Sequence, residues 1–112
     1  MKLDVRFRGM EGSTALHTQA VRQVYSHLRP FDAAIAAVTV RVEDTNGPKA
    51  GVDKRCQVEI RSADRGWLRV DAESHDAFAA IERAVERAAD AIGRGFRQER
   101  SAAKSRGVRR AS

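Results

Sequence analysis

The residues with the clearest chemical potential in this sequence are arginines, and the chemistry they offer is phosphate binding. Arg83, Arg87, Arg94 and Arg97 follow one another at steps of four, seven and three. At about 100° per residue they fall within roughly 80° on a helical wheel. A guanidinium makes bidentate, charge-assisted hydrogen bonds to phosphate oxygens. If the helical spacing continues, the row leads into Arg100, Lys104, Arg106, Arg109 and Arg110. Arg22 and Arg29 form a second, shorter row on an earlier helix.

The charge is distributed unevenly along the chain. Residues 93–110 hold seven Lys or Arg and one Glu, a net +6 that equals the net charge of all 112 residues. Residues 1–92 carry 14 basic and 14 acidic side chains. The sequence pI is about 10.4. A neutral domain with a basic end points to a polyanionic partner, nucleic acid before an anionic membrane surface. Each phosphate neutralised by Arg or Lys releases condensed counterions, so such binding depends on salt. Carboxylates also stand near the row. Asp90 is spaced to pair with Arg87 and Arg94, and Glu86 with Arg83. Pairs of this kind contribute about 0.2–0.5 kcal/mol each and make an ordinary solvated helix face.

Other chemistry finds little support. Paired carboxylates, a nucleophile beside a base, and a glycine-rich phosphate loop are all missing, so no enzyme is expected and no cofactor or small-molecule substrate is implied. Cys56 alternates in phase with Val58 and Ile60, as a buried core residue would. As the sole cysteine it forms no internal disulfide, and a reducing cytoplasm is the expected location. His17, His27 and His75 lack second ligands at zinc spacing, so no metal is expected; His17 projects into the apolar arc of its helix. Trp67 shares parity with Arg69 and Asp71 near a hairpin tip. It suits packing over long side chains on the open sheet face, or stacking on a base. No run of about 18 apolar residues is present, so no membrane partner is expected.

The elements that position these residues follow from periodicity. Leu3, Val5 and Phe7 alternate with Lys2, Asp4, Arg6 and Arg8, a half-buried strand. Ser13 is placed to cap a helix whose Leu16, Ala20, Val21, Val24 and Leu28 share one face, and Pro30 ends it. Three further strands run through "AVTVRVED", "RCQVEIR" and "WLRVDAE", with "TNGPKAGVDK" and "SADRG" as links. The last helix starts at Ser74 or Asp76, and Phe78, Ile81, Val85, Ala88, Ile92 and Phe96 form its apolar stripe. Gly93 and Gly95 weaken its final turn. The expected fold is α+β, a two-layer β-α-β-β-β-α arrangement with both helices on one face of a four-stranded sheet. The crossover makes the first two strands parallel, and short links make the others antiparallel. With the helices side by side, the two arginine rows would flank a common groove. The open sheet face holds arginines interleaved with acids, which cross-strand ion pairs explain. Residues 1–100 form the domain, and 101–112 are read as a basic tail, disordered when free.

The stretch "HDAFAAIERAVERAADAI", after a strand ending "VDAES", resembles the end of the ribosome hibernation promoting factor family. That family is also known as ribosome-associated inhibitor or ribosomal subunit interface protein. Asp76, Phe78, Ala80, Ile81, Val85 and Arg87 match its pattern, and "KLDVRFRGME" with "TALHTQAV" matches its first strand and helix. The resemblance covers residues 1 to about 98. It implies a monomeric translation inhibitor that occupies the messenger–transfer RNA channel of the small ribosomal subunit and contacts its ribosomal RNA. Arg22, Arg29, Arg87, Arg94 and Arg97 are the contact positions it carries over; Arg83 comes from the wheel alone. Asp90 stands where the family often has Arg or Lys, the 45–54 loop is long, and no C-terminal dimerisation domain is expected after Ser112. The alternative is a general double-stranded RNA binder, because the αβββα portion resembles that architecture.

Overall fold

The structure is a computed structural model describing residues 1–45, 52–64 and 66–105, with side chains described to residue 94. Strand β1 (Lys2–Arg8) leads through Ser13 into helix α1 (Thr14–Leu28). The Ser13 side chain caps it, accepting a 3.0 Å hydrogen bond from the Leu16 amide. Pro30 does not simply end the helix. It sits in the first turn of a 3₁₀ segment (Arg29–Ala34) that hands the chain to strand β2 (Ile35–Asp44). Strands β3 (Lys54–Ser62) and β4 (Trp67–Ser74) follow, then helix α2 (Ala77–Ser105).

The sheet runs β1-β2-β3-β4. Strand β1 lies parallel to β2 with Val5 opposite Val40, as the crossover predicts. The β2–β3 and β3–β4 pairs are antiparallel, with Val58 opposite both Val40 and Val70. The centre of the inward face is therefore apolar: Val38, Val40 and Val42, then Cys56, Val58 and Ile60 are buried, flanked by the half-buried Leu3, Val5, Phe7, Leu68 and Val70. Both helices bury their faces against this side in one continuous core. Helix α1 contributes Leu16, Ala20, Val24 and Leu28, while Val21 is only half-buried. Helix α2 packs over β3 and β4 and against α1.

The buried face of α2 differs from the expected stripe. It consists of Ala77, Ala80, Ile81, Ala84, Val85, Ala88 and Ile92, and Phe78 is 42% exposed. Four alanines in the seam hold the helix close to the sheet, and the ring of Phe78 is left outside. His17 is also exposed rather than turned into the apolar arc of α1. Helix α2 begins after Asp76, whose carboxylate accepts from the Phe78 amide at 3.1 Å. It continues through Gly93 and Gly95 to Ser105, so the glycines do not stop it and no helix break marks residue 101. The remainder of the expected tail, 106–112, and the loop at 46–51 lie outside the described residues.

Two glycines play opposite parts. A Cβ at Gly12 would run into the ring of Phe7, which needs that space to fold over the start of α1. A Cβ at Gly93 would meet only the Phe31 ring tip at 4.0 Å, an ordinary contact. Replacing a helix-interior glycine with alanine removes about 0.5–1 kcal/mol of backbone entropy cost. Gly93→Ala is therefore expected to raise the thermal midpoint by a few degrees in a far-UV circular dichroism melt, while Gly12→Ala lowers it.

Candidate nucleic-acid interface

The hydrogen bonds of α2 locate its basic row. Arg87 donates through Nη1 to the carbonyl oxygen of Asp71 at 2.7 Å, and Arg83 donates to that of Glu73 at 3.4 Å. Residues 71 and 73 lie on β4, and their carbonyls project from its outer edge, where no fifth strand pairs among the described residues. Helix α2 runs back along β4, so a four-residue step on the helix meets a two-residue step on the strand. The two guanidiniums thus blunt a sheet edge that would otherwise present bare backbone acceptors. A guanidinium carries five N–H donors, so one bond to a carbonyl leaves four for other acceptors. Arg94 continues the same flank one to two turns on and is exposed.

This geometry corrects the expected groove. Helix α1 packs against the other side of α2, and Arg22 stands on its crest, opposite the buried Leu16–Ala20–Val24–Leu28 stripe. Arg29 is exposed at the junction of α1 and the 3₁₀ segment. The Arg22–Arg29 row and the Arg83–Arg87–Arg94 row are separated by the width of α2, and they do not flank a shared cleft. The ion pairs expected of Asp90 and Glu86 do not form among the described residues, nor does any other carboxylate pair with Arg22, Arg29, Arg83, Arg87 or Arg94. Arg97, Arg100 and Lys104 belong to α2; Arg106, Arg109 and Arg110 lie outside the described residues.

Other candidate groups are tied into the structure. Lys54 is clamped between Asp53 at 2.9 Å and Asp44 at 3.6 Å at the base of the β2–β3 loop. The hydrogen bond between Asp53 and Lys54 lowers the carboxyl pKa and raises that of the ammonium. Trp67 is 59% exposed on the open sheet face, with the Arg69 guanidinium 5.0 Å from its ring centre. That is cation–π distance, and it satisfies the expectation that the ring packs with a long side chain. Among the described residues no three His, Cys, Asp or Glu side chains gather into a metal site, and no helix is long and apolar enough to cross a membrane.

The fold is a two-layer α+β domain whose helix flank carries guanidiniums that no carboxylate neutralises among the described residues. The model of the sigma 54 modulation protein / S30EA ribosomal protein family matches residues 3–97, and the chain belongs to that family of ribosome-associated proteins. Ribosome binding, translation regulation and hibernation go with it. Among solved structures, the Protein Y N-terminal domain of Thermus thermophilus is similar at 23% identity and a TM-score of 0.66. The match covers 84% of this chain and 98% of that one. A ribosomal subunit interface protein from Coxiella burnetii is similar at 12% identity and a TM-score of 0.71, covering 86% and 98%. No curated protein matches the sequence.

Burial pushes the Cys56 thiol from its ordinary 9.0 up to about 12. Between those values the unfolded chain releases the thiol proton and the folded chain retains it. The unfolded state then binds fewer protons, so stability falls as pH rises through this window. Urea midpoints measured at pH 7.5 and pH 10 are expected to drop on the alkaline side. Cys56→Val should shrink that drop, because valine leaves nothing to ionise at this site.

Proposed function

We propose that this protein binds the small ribosomal subunit through the outward flank of α2 and restrains translation by occupying the channel of messenger and transfer RNA. The observation that carries the reading is the row Arg83–Arg87–Arg94, two of whose guanidiniums are held in place by backbone carbonyls and none of which is neutralised by a carboxylate among the described residues. A cation fixed by a neutral acceptor keeps its full charge and loses little rotamer freedom on meeting a phosphate. Arg97, Arg100 and Lys104 lie further along the same helix, and Arg106, Arg109 and Arg110 extend the basic stretch, adding long-range attraction. Arg22, on the crest of α1, and Arg29, at the start of the 3₁₀ segment, form a separate contact for a second RNA segment. The role is binding rather than catalysis, in the cytoplasm, by a single copy, with residues 1–100 as the ribosome-binding domain. The family to which the chain belongs supports ribosomal RNA over an arbitrary duplex as the target.

Arg87→Glu combined with Arg94→Glu is expected to reduce cosedimentation with ribosomal small subunits at least about tenfold, leaving the circular dichroism spectrum intact. Normal inhibition of in vitro translation by that variant would place the RNA contact elsewhere.

Deleting residues 101–112 removes four basic side chains. It should weaken association and reduce the salt slope by up to about 3–4, at roughly 0.7–0.9 for each phosphate no longer neutralised. An unchanged slope would show that the basic end makes no phosphate contacts.

A further inference from the structure

The sheet face turned away from the helices is not the evenly neutralised surface that alternating charges suggest. At the end where β1 and β2 finish and β3 begins, five arginines surround a hollow of about 560 Å³: Arg6, Arg8, Arg41, Arg55 and Arg69, with Glu43 the one acidic residue in its lining. The register explains the cluster. Arg6 lies opposite Arg41, and Arg8 and Arg55 flank Glu43 from the two neighbouring strands. Like charges directly opposite each other on paired strands are unfavourable. A surface that keeps them there carries a cost that a bound anion would offset.

Carboxylates around the hollow neutralise it only partly. Arg41 and Arg69 share the single Glu59 at 3.8 and 3.7 Å. These are long contacts, and one charge is divided between two guanidiniums. Arg6 turns to Asp4 at 2.7 Å and Arg55 to Asp71 at 2.9 Å, both on the rim. Arg8 has no ion pair among the described residues. The volume lies within the roughly 300–1,000 Å³ typical of ligand sites, large enough for a nucleotide unit rather than a lone ion. The surface also continues past the hollow. Along the strands it reaches Arg69 stacked on Trp67, with Arg61 paired across from Trp67. A cationic hollow that leads to an exposed aromatic ring is the arrangement on which a nucleotide chain lays phosphates and a base.

We infer that the open sheet face is a second RNA-binding surface, taking the phosphodiester backbone of a single strand at Arg8, Arg41 and their neighbours. It is distinct from the α2 flank, which lies on the other layer of the fold. The inference rests on the reading of the protein as an RNA binder, yet it concerns different residues, so the two stand or fall separately. One domain then contacts RNA on both faces, as a wedge between two segments would.

The test is fluorescence anisotropy of a labelled 12-nucleotide oligouridylate titrated with the full-length chain over a range of salt. Arg8→Ala with Arg41→Ala should lower affinity at least about tenfold at low salt and reduce the salt slope by about 1.4, or roughly 0.7 for each single-strand phosphate left without its arginine. Arg8→Ala alone, which breaks no ion pair among the described residues, should give about half that change in slope and guards against misfolding of the double variant. Wild-type affinity and slope in both variants would overturn the proposal. So would binding of an oligoglutamate of equal length as tightly as the oligonucleotide, because the surface would then select charge and not RNA. Arg87→Glu with Arg94→Glu should retain part of the oligouridylate binding while losing small subunits. Failure at the helix flank and failure at the sheet face are in this way read separately.

Discussion

The close seating of α2 on the sheet is the constraint on which the rest of the molecule depends. Ala77, Ala80, Ala84 and Ala88 contribute little bulk to the seam, so the helix axis lies near β3 and β4. Ile81, Val85 and Ile92 fill the space beside them and join α1 and the sheet in one core. Only from a helix held this near could Arg83 and Arg87 reach the outer carbonyls of β4. Core packing, edge protection and the presentation of cationic groups are consequences of the same contact. Larger residues at the alanine positions would lift the helix, and overpacking of this kind costs about 1–3 kcal/mol.

The fold was legible because its periods are clean. Strand alternation is clean in β1, β3 and β4 and in β2 from Val38 onward, after a register shift between Ile35 and Ala37, and the inward parity assigned to Val38, Val58 and Val70 matches their burial or partial burial. The buried face of α2 was less legible. Hydropathy gives Phe78 more weight than Ala77 or Ala80, although a tight helix–sheet seam favours small residues. The 3₁₀ segment was hidden for a related reason: Pro30 forbids continuation of the α-helix but leaves open how the chain proceeds. A helical wheel fixes the azimuth of Arg83 and Arg87, but it does not say which flank faces α1 and which overhangs β4. That depends on the strand order, so the expected common groove failed while the row itself remained. The interleaved charges of the sheet face looked balanced in one dimension. Only the cross-strand register, which sets Arg6 beside Arg41, shows where they accumulate.

The two faces meet the problem of surface charge differently. On the helix flank, cations rest on neutral carbonyls, so no opposing charge must be displaced when an anion approaches. On the open sheet face several are partnered by carboxylates, and a ligand must compete with Asp4, Glu59 and Asp71. Exposed pairs contribute about 0–1 kcal/mol, so this competition is weak. The neutral sum over residues 1–92 therefore conceals a surface with local excess of one sign. Net charge describes how a protein interacts over long distances; its separate faces decide what docks.

The chain has one tryptophan, and the fold places it on the exposed sheet face beside Arg69 rather than in the interior. Its indole is largely hydrated while every core contact is intact. Intrinsic emission will consequently be a poor gauge of whether the interior is assembled, and a sensitive gauge of whatever lies against that surface.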